Sequence, residues 1–240
     1  MREPPSDPRT PQPIPTRSAA ERLHGADIQW HGWIRDVERK RRQIDRAPRP
    51  MPWWIYRDST VSSFRLEGID ASPTDVDAAA RASDRTRRGL RSPGRQRVRN
   101  HLAALLAIDR QLRGHVALKT DFVVRCYTSL SGGLSTQQLT SNAMQRINSA
   151  VGQINSPQLR LQPAVQEIAA LHCELLNDDI FPSFNGIIAR LLLRSHLGTC
   201  ALPPVIFDPD ADPSCFATPQ LLLPRLLQRV QETLARLSGV

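Results

Sequence analysis

The stretch Asp178-Asp-Ile-Phe-Pro-Ser-Phe-Asn-Gly-Ile-Ile-Ala-Arg-Leu-Leu-Leu193 joins the two cleanest helical segments of the chain. Before it, Pro163 to Leu176 carries Val165, Ile168, Ala169, Leu171, Leu175 and Leu176 at helical spacing, with proline in the tolerated first turn. After it, Asn185 to Leu197 is a second apolar helix, and Pro203 and Pro204 forbid its continuation. The loop between them, Asn177 to Phe184, is short and polar, so the two helices must turn back on each other.

The same period recurs on both sides of this pair. Val98 to Leu112 repeats leucine and isoleucine at Leu102, Leu105, Leu106, Ile108 and Leu112. A further helix is expected from Thr120, an N-cap candidate, to Leu130, and a terminal amphipathic one from Pro224 to Leu237, with Gly239 beyond it. Ser131 to Pro157 is polar and glycine-punctuated, and Ser135 to Ile147 is its best helical window. Ala26 to Ile44 spaces Ile28, Trp30, Trp33, Ile34 and Val37 as an amphipathic helix; its tryptophans serve core packing or, alternatively, base stacking. Sustained alternating strands and internal repeats are absent from the sequence, so the expected class is all-α.

Composition bounds the organisation. The chain of 240 residues suits one helical domain with extensions. Residues 1–22, rich in proline and without periodicity, are expected to be a disordered head; 23–80 to hold N-terminal helices; 81–99 to be an arginine-rich linker broken by Gly89, Pro93 and Gly94; and 100–240 to form the helical core. Apolar residues make up 40% of the chain and no apolar run approaches the length of a membrane span. With no apolar signal-peptide core near the N-terminus, the expected location is cytoplasmic, with no membrane partner. Cys126, Cys173, Cys200 and Cys215 are scattered singly, which suits buried thiols rather than a zinc site or a disulfide framework, so no metal is expected.

The net charge of +9 and pI near 10.5 raise a nucleic-acid reading, carried by Arg81 to Arg99 as a phosphate grip and by Leu134 to Ile147 as half of a helix-turn-helix. Nearly all the positive charge is arginine, with Lys40 and Lys119 the lysines, which a general surface bias also explains. Signatures of serine hydrolases, P-loop enzymes and dinucleotide-binding enzymes are missing. His24, His31, His101, His115 and His196 show no ligand spacing, and His172 is expected in the core beneath the loop.

Against this background the loop resembles the motif of the Fic (Fido-fold) family, H-x-F-x-[DE]-G-N-G-R-x-x-R. Asp179 falls on the histidine, Phe181 on the phenylalanine, Ser183 on the acid, Phe184 on the first glycine, Asn185 and Gly186 on N-G, Ile187 on the first arginine and Arg190 on the second. Upstream, Ala169, Ala170, His172 and Leu175 resemble the helix that precedes that motif, in register. Independently, Ser63-Phe-Arg-Leu-Glu67-Gly68 fits [ST]-x-x-x-E-[GN], the inhibitory-helix motif of the same family. Asn100 and Leu202-Pro203-Pro204 also match family positions, so the resemblance spans about residues 55 to 207.

The resemblance implies AMP transfer from ATP to target hydroxyls, and the departures from the motif argue against it. Asp179 is a feeble base beside phosphates and adds unfavourable charge. Ser183 is a poor hard-cation ligand, so Mg²⁺ binding should suffer. Phe184 brings a ring where glycine lets backbone amides reach phosphate, and Ile187 cannot clamp an oxyanion. A shifted alignment places the histidine position on Phe181 and supplies no histidine either. The surviving nucleotide-phosphate candidates are Asn185, Gly186 and Arg190, with ATP and Mg²⁺ as cofactors only if that site persists. Ser63, Glu67 and Gly68 are the inhibitory candidates, and Glu67 with Arg190 is expected to form a bidentate, partly buried ion pair. The first functional reading is a catalytically inactive Fic-like protein that binds a protein partner. The alternatives are a protein adenylyltransferase with an altered site, held off by Glu67, and a nucleic-acid-binding protein.

Overall fold

The computed structural model describes residues 32–39, 51–82, 93–132, 139–156 and 160–239. Its helices are α1 (32–39), α2 (Trp53–Arg65), α3 (Pro73–Arg81), α4 (Pro93–Arg113), α5 (Thr120–Leu130), α6 (Ser141–Ile154), α7 (Leu161–Asn177), α8 (Asn185–Thr199) and α9 (Pro219–Ser238), with a 3₁₀ turn at Pro213–Phe216. No strand occurs among the described residues, as the helical periodicity requires. None of these helices is long and apolar enough to cross a membrane.

The organising element is α8. Every residue from Asn185 to Leu197 except Arg190 is buried, the pattern of a helix enclosed on all sides. One side, with Ile187, Ile188, Leu191 and Leu192, joins a core built from α2 to α6 and from Leu171 and Leu175 of α7. Leu193 and Leu197 face a second core, with α7, α9, Val37 of α1 and the segment 200–207. Trp33 and Ile34 pack against this second core, which is the packing role for Trp33; Ile28 and Trp30 lie outside the described residues.

Several helix boundaries differ from the sequence reading. Pro93 and Gly94 begin α4 rather than break a linker, because proline lacks only a donor that the first turn leaves unpaired. Arg95, Arg97 and Arg99 are thus helical, while 83–92 lie outside the described residues, as does the head 1–22. Helix α6 starts at Ser141, where the Thr140 hydroxyl accepts from the Ala143 amide, and the start of the window read from Ser135, residues 135–138, lies outside the described residues. Only 141–147 of the helix-turn-helix candidate is therefore described helix, and 134–138 fall outside. Lys119, not Thr120, occupies the α5 N-cap; the Thr120 hydroxyl bonds Asn148 on α6 instead. In α9 the helix starts at Pro219 and runs through Pro224, held by the buried stripe Leu222, Leu226, Leu227, Val230 and Leu234.

Candidate functional site

Helix α2 ends in the backbone closure that its sequence calls for. The Ile69 amide bonds the Phe64 carbonyl, the Gly68 amide bonds the Arg65 carbonyl, and Gly68 takes a left-handed φ of 68°. Gly68 is thus a helix terminator, and the Glu67 side chain just before it reaches α8.

Glu67 there meets the first turn of α8. A Cβ on Gly186 would fall 2.0 Å from Glu67 Oε1 and 3.0 Å from Arg190 Nη1, so only glycine leaves room for this carboxylate. A negative charge at a helix N-terminus is favoured by the aligned peptide dipoles. Arg190 Nη2 donates to Glu67 Oε1 at 2.9 Å and to the Ser63 carbonyl at 2.8 Å, while Nε donates to Ser63 Oγ at 3.3 Å. The pair is therefore single-toothed, not bidentate, because the other guanidinium bonds go to α2 itself. Glu67 is 24% exposed and Arg190 11%. Burial lowers the Arg190 pKa, and Glu67 opposes that shift.

The other motif positions fall into two groups. Asn185 is structural: its amide donates to the Leu175 carbonyl at 2.9 Å and the Leu176 carbonyl at 3.3 Å, and its oxygen accepts from the Phe181 amide at 3.3 Å. It staples the end of α7 to the loop. Phe181 is buried against Tyr127, ring centroids 5.1 Å apart, and Ile187 is fully buried. Phe184 caps α8 in a left-handed conformation, φ 59°, with no side-chain cap, and Arg97 of α4 lies over its ring at 5.1 Å. Asp179 also has positive φ, 46°; it is exposed and makes no hydrogen bond or ion pair among the described residues. The Ser183 hydroxyl is buried and unpartnered.

Beside Glu67 and Arg190 opens a cleft of about 280 Å³, walled by Leu66, Leu176, Pro213 and Phe216. His172 lies in the core behind it, stacked on Phe207 and edge-on to Phe216. Neither ring nitrogen reaches a partner in hydrogen-bond geometry, although the Ala189 backbone passes close enough to favour the charged ring slightly. Burial dominates, with Arg190 adding to it, and pushes the His172 pKa down to about 3.

A second α2–α8 connection had no sequence signal. Arg194 grips Asp109 of α4 through Nε–Oδ1 at 2.8 Å and Nη2–Oδ2 at 2.6 Å, and Tyr56 of α2 donates its hydroxyl to Asp109 Oδ2 at 2.6 Å. Arg194 also sits over the Tyr56 ring at 5.1 Å. Burial, then the Asp109 hydrogen bond, pushes the Tyr56 pKa up to about 12. Ser62 Oγ donates to the Phe207 carbonyl at 2.6 Å, and Thr60 Oγ lies 3.1 Å from His101 Nδ1.

Two structures of Fic-1 from C. elegans, one a point variant, superpose on this chain with TM-scores of 0.72 and 0.67. Each match covers 92% of this chain and 75% of the other. The chain has the Fic (Fido) fold. Sequence identity is 15% and 17%, which carries the fold and not the activity. No family model matches the sequence, and no curated protein does.

Mg²⁺ and ATP, the groups that the Fic fold implies, do not fit the residues as they stand. The space over Gly186 holds the Glu67 carboxylate, Arg190 is committed to Ser63 and Glu67, and the acid that would steady a cation is Ser183, a neutral hydroxyl. Among the described residues no group of three His, Cys, Asp or Glu side chains is placed to hold a metal ion.

Proposed function

We propose that this chain is a Fic-fold protein that no longer transfers nucleotides and acts by binding a protein partner. The observation that carries this reading is the occupancy of the anion cradle from within: Glu67 lies against Gly186, and Arg190 is tied to the α2 backbone. Asp179 adds to it, since the group aligned with the transferring histidine is turned out to solvent on a left-handed backbone. A general base must reach the proton that it removes, and a carboxylate turned out to solvent is poorly placed to do so. What remains is a rigid helical scaffold offering its surfaces.

A second reading rests on the cleft of about 280 Å³ beside Glu67. Glu67 is partly exposed there, so its withdrawal would free Arg190 for a phosphate, as an autoinhibited adenylyltransferase requires. The nucleic-acid reading draws less support, because Arg97 is engaged with Phe184 and the core of the arginine-rich segment lies outside the described residues.

One experiment separates the first two. The purified protein and its Glu67→Gly variant are incubated with α-labelled ATP and Mg²⁺, alone and with lysate proteins, and ATP binding is followed by calorimetry. Absence of label and of binding heat in both supports the binding scaffold. Label in the variant overturns it and makes Glu67 a working inhibitor.

A further inference from the structure

Between α2, α8 and the segment after Pro204 lies a cavity of about 20 Å³, lined by Ser59, Ser62, Ser63, His101, Arg190 and Arg194 together with apolar neighbours. Most of these polar groups are spoken for. Ser62 is bonded to the Phe207 carbonyl, Ser63 to Arg190, and His101 to Thr60. Two atoms are left: Ser59 Oγ and Arg194 Nη1 are both buried and without any hydrogen-bond partner. Ser59 is 9% exposed and Arg194 5%, so neither reaches bulk solvent for compensation. An unpaired buried guanidinium nitrogen is costly, and native proteins seldom leave one unanswered.

Size and charge together select what fills the space. One water molecule needs roughly 10–15 Å³ by this measure, so there is room for one and not for a larger group. The surrounding charges cancel: Arg194 is neutralised by Asp109, and Arg190 by Glu67. An anion such as chloride would find no excess positive charge to repay its dehydration. The ligand must accept a hydrogen bond from Arg194 and make a second with a hydroxyl. We infer that this cavity is a binding site for one ordered water molecule, held by Arg194 Nη1 and Ser59 Oγ, which completes the polar seam between α2 and α8. The site is independent of whether the chain transfers nucleotides.

A crystal structure of the full chain, at a resolution that shows ordered solvent, tests this directly. The expected result is a single solvent peak at about 2.6–3.2 Å from both Ser59 Oγ and Arg194 Nη1. An empty cavity, or Arg194 Nη1 bonded to a protein group, overturns the inference. A bromide soak that places an anomalous peak there overturns it in favour of a halide. In solution, oxygen-17 relaxation dispersion counts long-lived internal waters. Ser59→Val puts methyl groups into the space, so the variant should hold one fewer than wild type; equal counts in two folded proteins would also sink the proposal.

Discussion

At Gly186 the absence of one carbon atom decides whether the Glu67 carboxylate can lie against the first turn of α8. Gly186→Ala drives a Cβ onto Glu67 Oε1 and should expel the carboxylate from the α8 first turn, at a cost of about 2 kcal/mol. Glu67→Ala should lower stability by a similar amount, about 2 kcal/mol. It leaves the buried Arg190 without its anion, and the partial exposure of Glu67 keeps the effect below that of a fully buried pair. Because both changes act on one contact, the double variant should cost clearly less than the two together, as chemical unfolding of the four proteins would reveal. An unchanged melting temperature in Glu67→Ala would end the structural role given to the pair. Glu67 and Arg190 were legible in the sequence as halves of a lock, but its single-toothed geometry was not, since the Ser63 carbonyl that competes for the guanidinium is an invisible backbone group.

Helix α2 is held at two levels, and only the lower carries a motif. Tyr56, Asp109 and Arg194 bind it to α4 and α8 about three turns before Glu67. Tyr56→Phe removes a hydrogen bond to a charged acceptor and should cost about 2 kcal/mol without exposing the core. Hydrogen exchange should then show faster opening of α2, with α7 and α9 unaffected. The same double anchoring predicts that Glu67→Gly leaves α2 docked; amide protection lost along all of Trp53–Arg65 in that variant would contradict it. Polar residues at helical spacing look alike in a sequence whether they face solvent or a buried partner, so nothing in the sequence singles out Asp109. The boundaries of α4 and α9 escaped for a related reason: proline is tolerated in a first turn, and α9 continues through Pro224 because its apolar stripe is buried against α7 and the segment after α8.

At the scale of the molecule, three buried histidines among the described residues contribute to the response to acid. His101 and His172 have pKa values pushed down to about 3 and His196 to about 4, with burial the leading cause in each. Below the unfolded value of 6.5 the unfolded chain binds protons that the folded chain does not, so stability falls as pH drops towards 4. Each histidine contributes up to about 1.4 kcal/mol per pH unit in that window and nothing above it. Denaturant unfolding at pH 7 and pH 5 should show this loss, and His172→Phe should flatten the slope by one histidine's share while holding stability at pH 7, since it also removes two unpartnered nitrogens. A slope unchanged by that substitution would mean that His172 titrates alike in both states. The basic excess that invites a nucleic-acid reading lies mostly outside the described residues, so it says little about the helical body. By itself, the amino-acid order determined the all-α class, the α7–loop–α8 pair and the two motif segments, because helical period, proline placement and glycine at a helix end act over a few residues. Tertiary structure alone decided that Asp179 faces solvent, that Asn185 serves the backbone, and that Tyr56, Asp109 and Arg194 converge. Each depends on which groups are brought together from distant parts of the chain and on the desolvation that their meeting imposes, and neither quantity is local.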